Sequence, residues 1–153
     1  PDLDVTVFRP SVVFGPEDRF LNTFAQLARF MPVLAVACPQ ARFQPVYVGD
    51  VARVMADALD EPAARGMRYD LCGPRQYTLK QLVEYAGQAS GRRRLVVGLS
   101  PSLSYLQARL LEWSPGPMMR RDNYRSMQVP NVCDAGCALL PTALEAIAPA
   151  YLQ

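Results

Sequence analysis

The chain of 153 residues contains no histidine, and Lys80 is its only lysine beside fifteen arginines. Without histidine there can be no histidine-based catalytic triad and no imidazole-ligated metal site. The four cysteines, Cys38, Cys72, Cys133 and Cys137, lack the two closely spaced pairs of a zinc site. We therefore expect no metal site, and we expect free, buried thiols in a reducing, soluble compartment.

Closely spaced glycines and long apolar runs are also missing. The dinucleotide fingerprint needs glycines two and three residues apart, whereas the nearest pair here is Gly87 and Gly91. The longest apolar run, residues 33–38, is far shorter than a bilayer span. The net charge of +2 is spread along the chain. The one basic run, residues 92–94, favours a solvated turn over a phosphate or partner contact, so no nucleic-acid partner is expected.

Strand-like and helix-like segments alternate along the chain, which predicts an α/β fold with parallel strand pairing in a single domain. The opening segment, residues 4–9, has the pattern of a buried strand in a parallel sheet. Because such a strand needs neighbours on both sides, we expect the chain to be the back half of a longer protein. Further strands are expected at 46–48, 67–72 and 95–99, and helices at 19–31, 50–62, 78–91, 101–113 and 141–152.

Catalytic residues are not expected in this chain. Hydroxyl–carbonyl redox chemistry in short-chain dehydrogenases uses a tyrosine with a lysine four residues later. Gln76 stands four residues before Lys80 and cannot act as the tyrosine. Tyr77 precedes Lys80 by three residues, and a turn tyrosine beside a solvated lysine is the favoured interpretation.

The loop that follows the first predicted strand is the strongest candidate for a binding site. Pro10 fixes the backbone and removes one donor, while Ser11 and the amides of Val12 and Val13 could meet a planar carboxamide. Ligands of open α/β sheets bind at this carboxyl edge. From chemistry alone, an ordinary loop remains the alternative.

Three segments in order resemble the extended and atypical short-chain dehydrogenase/reductases (the NAD-dependent epimerase/dehydratase family). Residues 9–18, RPSVVFGPED, resemble the loop after the sixth strand, and residues 44–52, QPVYVGDVA, resemble the next landmark. Residues 119–123, MRRDN, resemble the subgroup that includes the nucleotide-binding accessory subunit of respiratory complex I.

The resemblance implies a partial Rossmann-like sheet and the small C-terminal substrate or lid region of that family. Within one domain, 1–153, the sheet remnants would be residues 1–18 and 50–75, and the lid would be residues 19–49 and 76–153. The family's glycine fingerprint and tyrosine–lysine pair lie earlier in the chain than any residue here. We therefore expect no catalysis and no tight dinucleotide binding by residues 1–153 alone.

The resemblance also implies a set of site residues. Four residues would lie against the nicotinamide of NAD or NADP: Pro10, Ser11, Val12 and Val13. Three would line the neighbouring substrate cleft: Phe14, Asn22 and Gln44.

One departure from the family bears on function. Where nucleotide-sugar epimerases carry an arginine for a substrate phosphate, this chain has Phe43, and the adjacent Arg42 would point to the opposite face of a strand. This favours a non-catalytic or weakly catalytic NAD(P)(H)-binding role near complex I. The alternative is an NAD(P)-dependent epimerase, dehydratase or oxidoreductase on a nucleotide-linked or small hydroxyl substrate.

The expected partners follow from the same resemblance. They are the missing N-terminal half, a second copy paired through an exposed strand edge, and a respiratory-chain protein. The expected location is cytoplasmic, peripheral at the inner membrane if the respiratory link holds.

Overall fold

The computed structural model describes residues 4–111, 121–134 and 137–152. The strands are β1 (Val7–Pro10), β2 (Val13–Phe14), β3 (Val33–Val36), β4 (Arg42–Phe43), β5 (Val46–Tyr47), β6 (Arg68–Leu71), β7 (Tyr77–Thr78) and β8 (Leu95–Gly98). The helices are α1 (Phe20–Phe30), α2 (Val48–Asp60), α3 (Leu79–Ala89), α4 (Pro101–Leu111), α5 (Arg121–Ser126) and α6 (Leu144–Ile147). Short 3-10 turns occupy Pro62–Ala64 and Ala148–Ala150.

The described strands form four pairs, three of them parallel. β1 pairs with β6, β2 with β5, and β3 with β8 in parallel, while β4 and β7 are antiparallel. In each parallel pair, at least one helix lies between the two strands along the sequence, as parallel crossovers require. The predicted α/β class with parallel pairing is therefore confirmed.

Two apolar clusters hold these elements together. In the larger, α1 packs on α3 through small and branched side chains such as Ala28 and Leu82, and the β3–β8 pair and α6 complete it. The smaller consists of Val46, Val51 and Leu71, with Phe8 and Tyr69 stacked beside it. Burial of each such aliphatic side chain contributes about 1.5–3 kcal/mol.

Local interactions close both ends of α3, the helix expected at 78–91. The Thr78 hydroxyl accepts from the Gln81 amide at 3.2 Å, and the Gln81 side chain accepts from the Thr78 amide at 2.8 Å. Gly91 follows the helix with φ of +72°, a left-handed conformation that glycine adopts without a Cβ penalty. The helix is thus closed at both ends by local chemistry.

Two expectations about the first half of the chain were wrong. The first strand begins at Val7 instead of residue 4, and its burial is low: Val7 is 37% exposed. Among the described strands, only β6 flanks β1, which leaves the other edge uncovered. The helix expected from residue 50 begins two residues earlier, at Val48, and Tyr47 takes its cap position.

The strands β2, β3 and β7 were not predicted, and α6 is shorter than the helix expected after Pro141. Residues 112–120, which include the helix end expected at Trp113 and the start of the motif at Met119, lie outside the described residues. No helix in the described ranges combines the length and apolarity needed to cross a membrane. Nor do those ranges contain a group of three acidic, cysteine or histidine side chains that could hold a metal ion.

Candidate cofactor site

The candidate site lies where β1 and β6 end side by side. Pro10 and Leu71 are in register, and the amide of Ser11 donates to the Leu71 carbonyl at 2.9 Å. The chain then turns into β2, where the Val12 carbonyl accepts from Val46 at 3.0 Å. This junction is the carboxyl edge of a parallel pair, the usual place for ligands of α/β sheets.

A segment from the C-terminal part of the chain crosses this edge. We call residues 129–134 the strap. Asn131 lies alongside β4: its amide donates to Arg42 at 2.8 Å, and its carbonyl accepts from Gln44 at 3.0 Å. The Ser11 hydroxyl also donates to that carbonyl, at 2.9 Å. The strap therefore covers the loop that the sequence predicts to face a nicotinamide.

Gln44 fastens the strap to the loop after β6. Its side chain is 3% exposed. Its Nε2 donates to the Gly73 carbonyl at 2.9 Å, and its Oε1 accepts from the Cys133 amide at 3.1 Å. Because a buried amide needs partners for both its ends, this side chain fixes the distance between the two segments.

A disulfide joins the same two segments. Cys72, directly after β6, is bonded to Cys133 in the strap, and their Cα atoms are 6.0 Å apart. The expectation of four free thiols was wrong for this pair, whereas Cys38 and Cys137 are free. The sequence separation of 61 between the bonded cysteines explains the error, since spacing along the sequence does not reveal that the strap runs beside β6.

A cavity of about 380 Å³ opens between β1, β6 and the strap, and its wall includes Pro10, Ser11 and the cystine. Arg9 and Asp70 form one side, joined by an ion pair with Nε–Oδ1 at 2.7 Å and Nη2–Oδ2 at 2.9 Å. The volume is within the range of small-ligand pockets.

The pyrophosphate of a dinucleotide has no matching cradle here. Arg9 is the only cationic side chain in the described wall of the cavity, and it is already paired with Asp70. The glycine-rich turn at a helix start that holds pyrophosphate in Rossmann sites has no counterpart in the sequence. The described residues of this cavity therefore do not fit the pyrophosphate of NAD(P).

The structure brings together some of the predicted site residues and separates others. Pro10 and Ser11 line the cavity. Gln44 lies next to Ser11, since the Gln44 backbone amide donates to the Ser11 hydroxyl at 3.3 Å. Val12 and Val13 are half-buried on the side facing Phe20 and Pro45.

The other two cleft residues lie away from this cavity. Phe14 is a core side chain, 2% exposed. Asn22 bonds to the carbonyls of Pro16 and Asp18 and lines a separate depression with Tyr151. The roles given to all seven residues stay predictions.

Tyr77 and Lys80 are occupied elsewhere. The Tyr77 hydroxyl donates to Glu145 at 2.7 Å, and Lys80 lies 3.7 Å from Glu84. Burial, followed by the hydrogen bond to the Glu145 carboxylate, raises the pKa of Tyr77. A proton donor of the short-chain dehydrogenase type needs the opposite shift, so this geometry supports the structural interpretation.

Arg42 and Phe43 point to opposite faces of β4, as strand alternation predicts. Arg42 is exposed and its Nη2 donates to Gln76 at 2.6 Å, while Phe43 is buried with its ring centroid 5.8 Å from Phe20. No arginine from β4 reaches the buried face.

The strap and the cystine are the parts of the site that sequence reasoning missed. Cys72 ends a predicted strand, which could have placed it at the carboxyl edge. Cys133 lies in a tail without clear periodicity, so its position had no local signal.

Comparison with characterised proteins identifies the relatives of this chain, although no family model matches it. It is 42% identical over 84 residues to NADH dehydrogenase (ubiquinone) 1 alpha subcomplex subunit 9, mitochondrial, of Rattus norvegicus. That match covers 54% of this chain and 22% of the rat protein. The Arabidopsis thaliana protein of the same name is 36% identical over 85 residues, covering 53% and 21%.

The chain is a homologue of these complex I subunits. The aligned part amounts to about a fifth of their length.

Solved structures show the fold. The dTDP-4-dehydrorhamnose reductase of Bacillus anthracis, in complex with NADP, superposes with a TM-score of 0.56 at 14% identity, covering 88% of this chain and 43% of that one. RMD from Pseudomonas aeruginosa, complexed with NADPH, gives 0.53 at 21% identity, covering 62% and 35%. The resemblance to Rossmann-fold short-chain dehydrogenase/reductases is thereby confirmed at the level of the fold.

Proposed function

We propose that this chain is the nicotinamide-facing portion of an NAD(P)(H)-binding accessory protein of a respiratory NADH dehydrogenase. The observation that carries the proposal is the carboxyl edge itself. There, the family loop Pro10–Val13 ends a parallel strand beside a cavity of about 380 Å³ in a chain homologous to complex I subunits.

In this proposal the cofactor supports structure more than chemistry. When bound, NAD(P)(H) would supply a hydride donor or acceptor at the nicotinamide ring. Pro10 and Ser11 would form the wall against that ring, and the cystine would close the opposite side. A ligand that binds only the folded state stabilises it by mass action.

The division of the chain remains part of the proposal. Residues 1–18 and 50–75 would belong to the sheet, and 19–49 and 76–153 to the lid region. The two apolar clusters support this division, because the smaller one draws mainly on the first set and the larger one mainly on the second.

The binding step is tested with the chain as it stands. We expect nicotinamide mononucleotide at millimolar concentration to shift the NMR resonances of the Ser11 and Cys72 amides, with NADP(H) binding weaker than micromolar by calorimetry. Ser11→Ala should reduce the shifts, and Ser90→Ala, at the far end of α3, should not. Submicromolar NADP(H) affinity, or shifts confined to other regions, would contradict the proposal.

The respiratory role requires its own test. In native gels of solubilised membranes, the protein should migrate with NADH dehydrogenase activity. In this proposal, the protein lies in the cytoplasm at the inner face of the membrane and binds a respiratory-chain partner. Migration away from that activity would count against the role.

The alternative is an epimerase, dehydratase or reductase, favoured by the names of the structural neighbours. The exposed position of Arg42 and the burial of Phe43 weigh against a phosphate-bearing substrate on β4. Turnover of nucleotide sugars with NAD(H) or NADP(H), by a protein that contains this chain, would favour the alternative.

A further inference from the structure

The Cys72–Cys133 disulfide restrains the strap at the edge of the cavity. It connects the residue that follows β6 to the strap, and both segments line the cavity beside Ser11. We propose that the Cys72–Cys133 disulfide is a thiol-reducible latch, which holds the strap over the carboxyl edge and releases it on reduction. The proposal goes beyond cofactor binding and does not depend on it.

The strap has few other attachments. Apart from the disulfide, its described contacts to the edge are hydrogen bonds of Asn131 to Arg42, Gln44 and Ser11, and that of the Cys133 amide to Gln44. Among its apolar side chains, Val129 is 68% exposed, and Val132 is half-buried. Because single hydrogen bonds are individually weak in water, the covalent link is the dominant restraint on residues 132–134.

The two cysteine residues differ in exposure, from which we infer the direction of attack. Cys72 is 2% exposed, whereas Cys133 is half-buried. A thiolate of an external dithiol would attack the Cys133 sulfur, break the S–S bond and release Cys72 as a thiolate that takes up a proton. The second thiolate of the reagent would then displace Cys133, so that the cystine gains two electrons and the dithiol becomes a cyclic disulfide.

Reduction has a specific consequence for the cavity. Without the bond, Gln44 is the remaining side-chain link between the strap and the loop after β6 among the described contacts. The strap can then move from Pro10 and Ser11 while the larger apolar cluster, built from α1, α3 and β8, keeps its contacts.

The test is amide hydrogen exchange of the intact chain, followed by mass spectrometry, before and after treatment with dithiothreitol. We expect exchange in the strap to accelerate about tenfold or more, with protection retained in α3. Cys133→Ser should reproduce the reduced behaviour without reductant, and Cys38→Ser, at a free thiol, should not.

Three outcomes would overturn the latch. They are unchanged strap exchange after complete reduction, loss of protection in α3 as large as in the strap, or alkylation of all four cysteines without reductant. A Cys133–Cys137 or Cys72–Cys137 pair in the peptide map would likewise contradict it. If Cys133→Ser does not fold, the reduced wild-type chain still decides among these outcomes.

Discussion

At the scale of single residues, Asp50 shows how a side chain can do more than its local position suggests. Its carboxylate is 1% exposed, accepts from the Thr142 amide at 3.0 Å, and pairs with Arg53 at 3.2 Å. Thr142 is 92 residues away in sequence. The aspartate therefore ties the start of α2 to the segment that leads into α6.

We predict that Asp50→Ala lowers the free energy of unfolding by about 2 kcal/mol, because it leaves a partly buried Thr142 amide without its charged acceptor. Urea denaturation measures the effect. Asp57→Ala, an exposed aspartate on the same helix, should change stability by less than about 0.5 kcal/mol. Equal effects from both variants would show that Asp50 acts only through helix propensity.

The phenol of Tyr77 gives a prediction for alkaline pH. Burial and the Glu145 carboxylate raise its pKa in the folded chain above the unfolded value. Its contribution to stability is therefore complete below about pH 10 and is lost as the pH rises toward the folded pKa.

Unfolding free energies measured from about pH 9 to about pH 12 should fall less steeply in Tyr77→Phe than in the wild type. Glu145→Gln should lower the pKa of Tyr77 by removing the facing charge. Tyr151→Phe serves as the comparison. It removes a different phenol whose pKa is raised, the one bonded to Asp18, and it leaves the contribution of Tyr77 to the pH dependence in place. Identical slopes in the wild type and Tyr77→Phe would refute the assignment.

At the scale of elements, prediction from sequence succeeded where the signal is local. α1 and α3 have apolar side chains at helical spacing, and α3 has both capping partners within four residues. β4 and β7 have two residues each and pair across 34 positions of sequence, which no local pattern encodes. The strap is defined only by partners such as Gln44, so its place at the site could not be predicted either.

Gly73 marks the close approach of two elements at the site. A Cβ on this residue would lie 1.9 Å from the Pro45 carbonyl oxygen, which is backbone and cannot rotate away. We predict that Gly73→Ala costs about 3 kcal/mol of stability and shifts the loop after β6.

Gly66→Ala is the matched control for that clash. Gly66 has φ of +72° and open space where a Cβ would lie, so only backbone strain of about 1 kcal/mol applies. Thermal and urea unfolding of the two variants separate clash from strain. If Gly66→Ala lost more unfolding free energy than Gly73→Ala, residues 45 and 73 would have to move apart easily, which would contradict the predicted clash.

At the scale of the whole molecule, one group of exposed apolar side chains lies around β1 and α2. Val5 is 58% exposed and Met67 is 49% exposed next to the β1–β6 pair, and Leu59 on α2 is 87% exposed. An uncovered strand edge with apolar side chains recruits another strand. This distribution is the reason to expect that a second copy of the chain pairs with β1.

Sedimentation velocity tests the self-pairing. We predict concentration-dependent dimers of this chain, weakened at least about fivefold in dissociation constant by Val7→Lys, because a lysine on an edge strand opposes strand addition. Phe30→Lys removes a more exposed apolar side chain at the end of α1, 84% exposed against 37% for Val7, and should leave the association unchanged. A strictly monomeric chain at high concentration, or an equal effect of both substitutions, would show that β1 is not the surface of association.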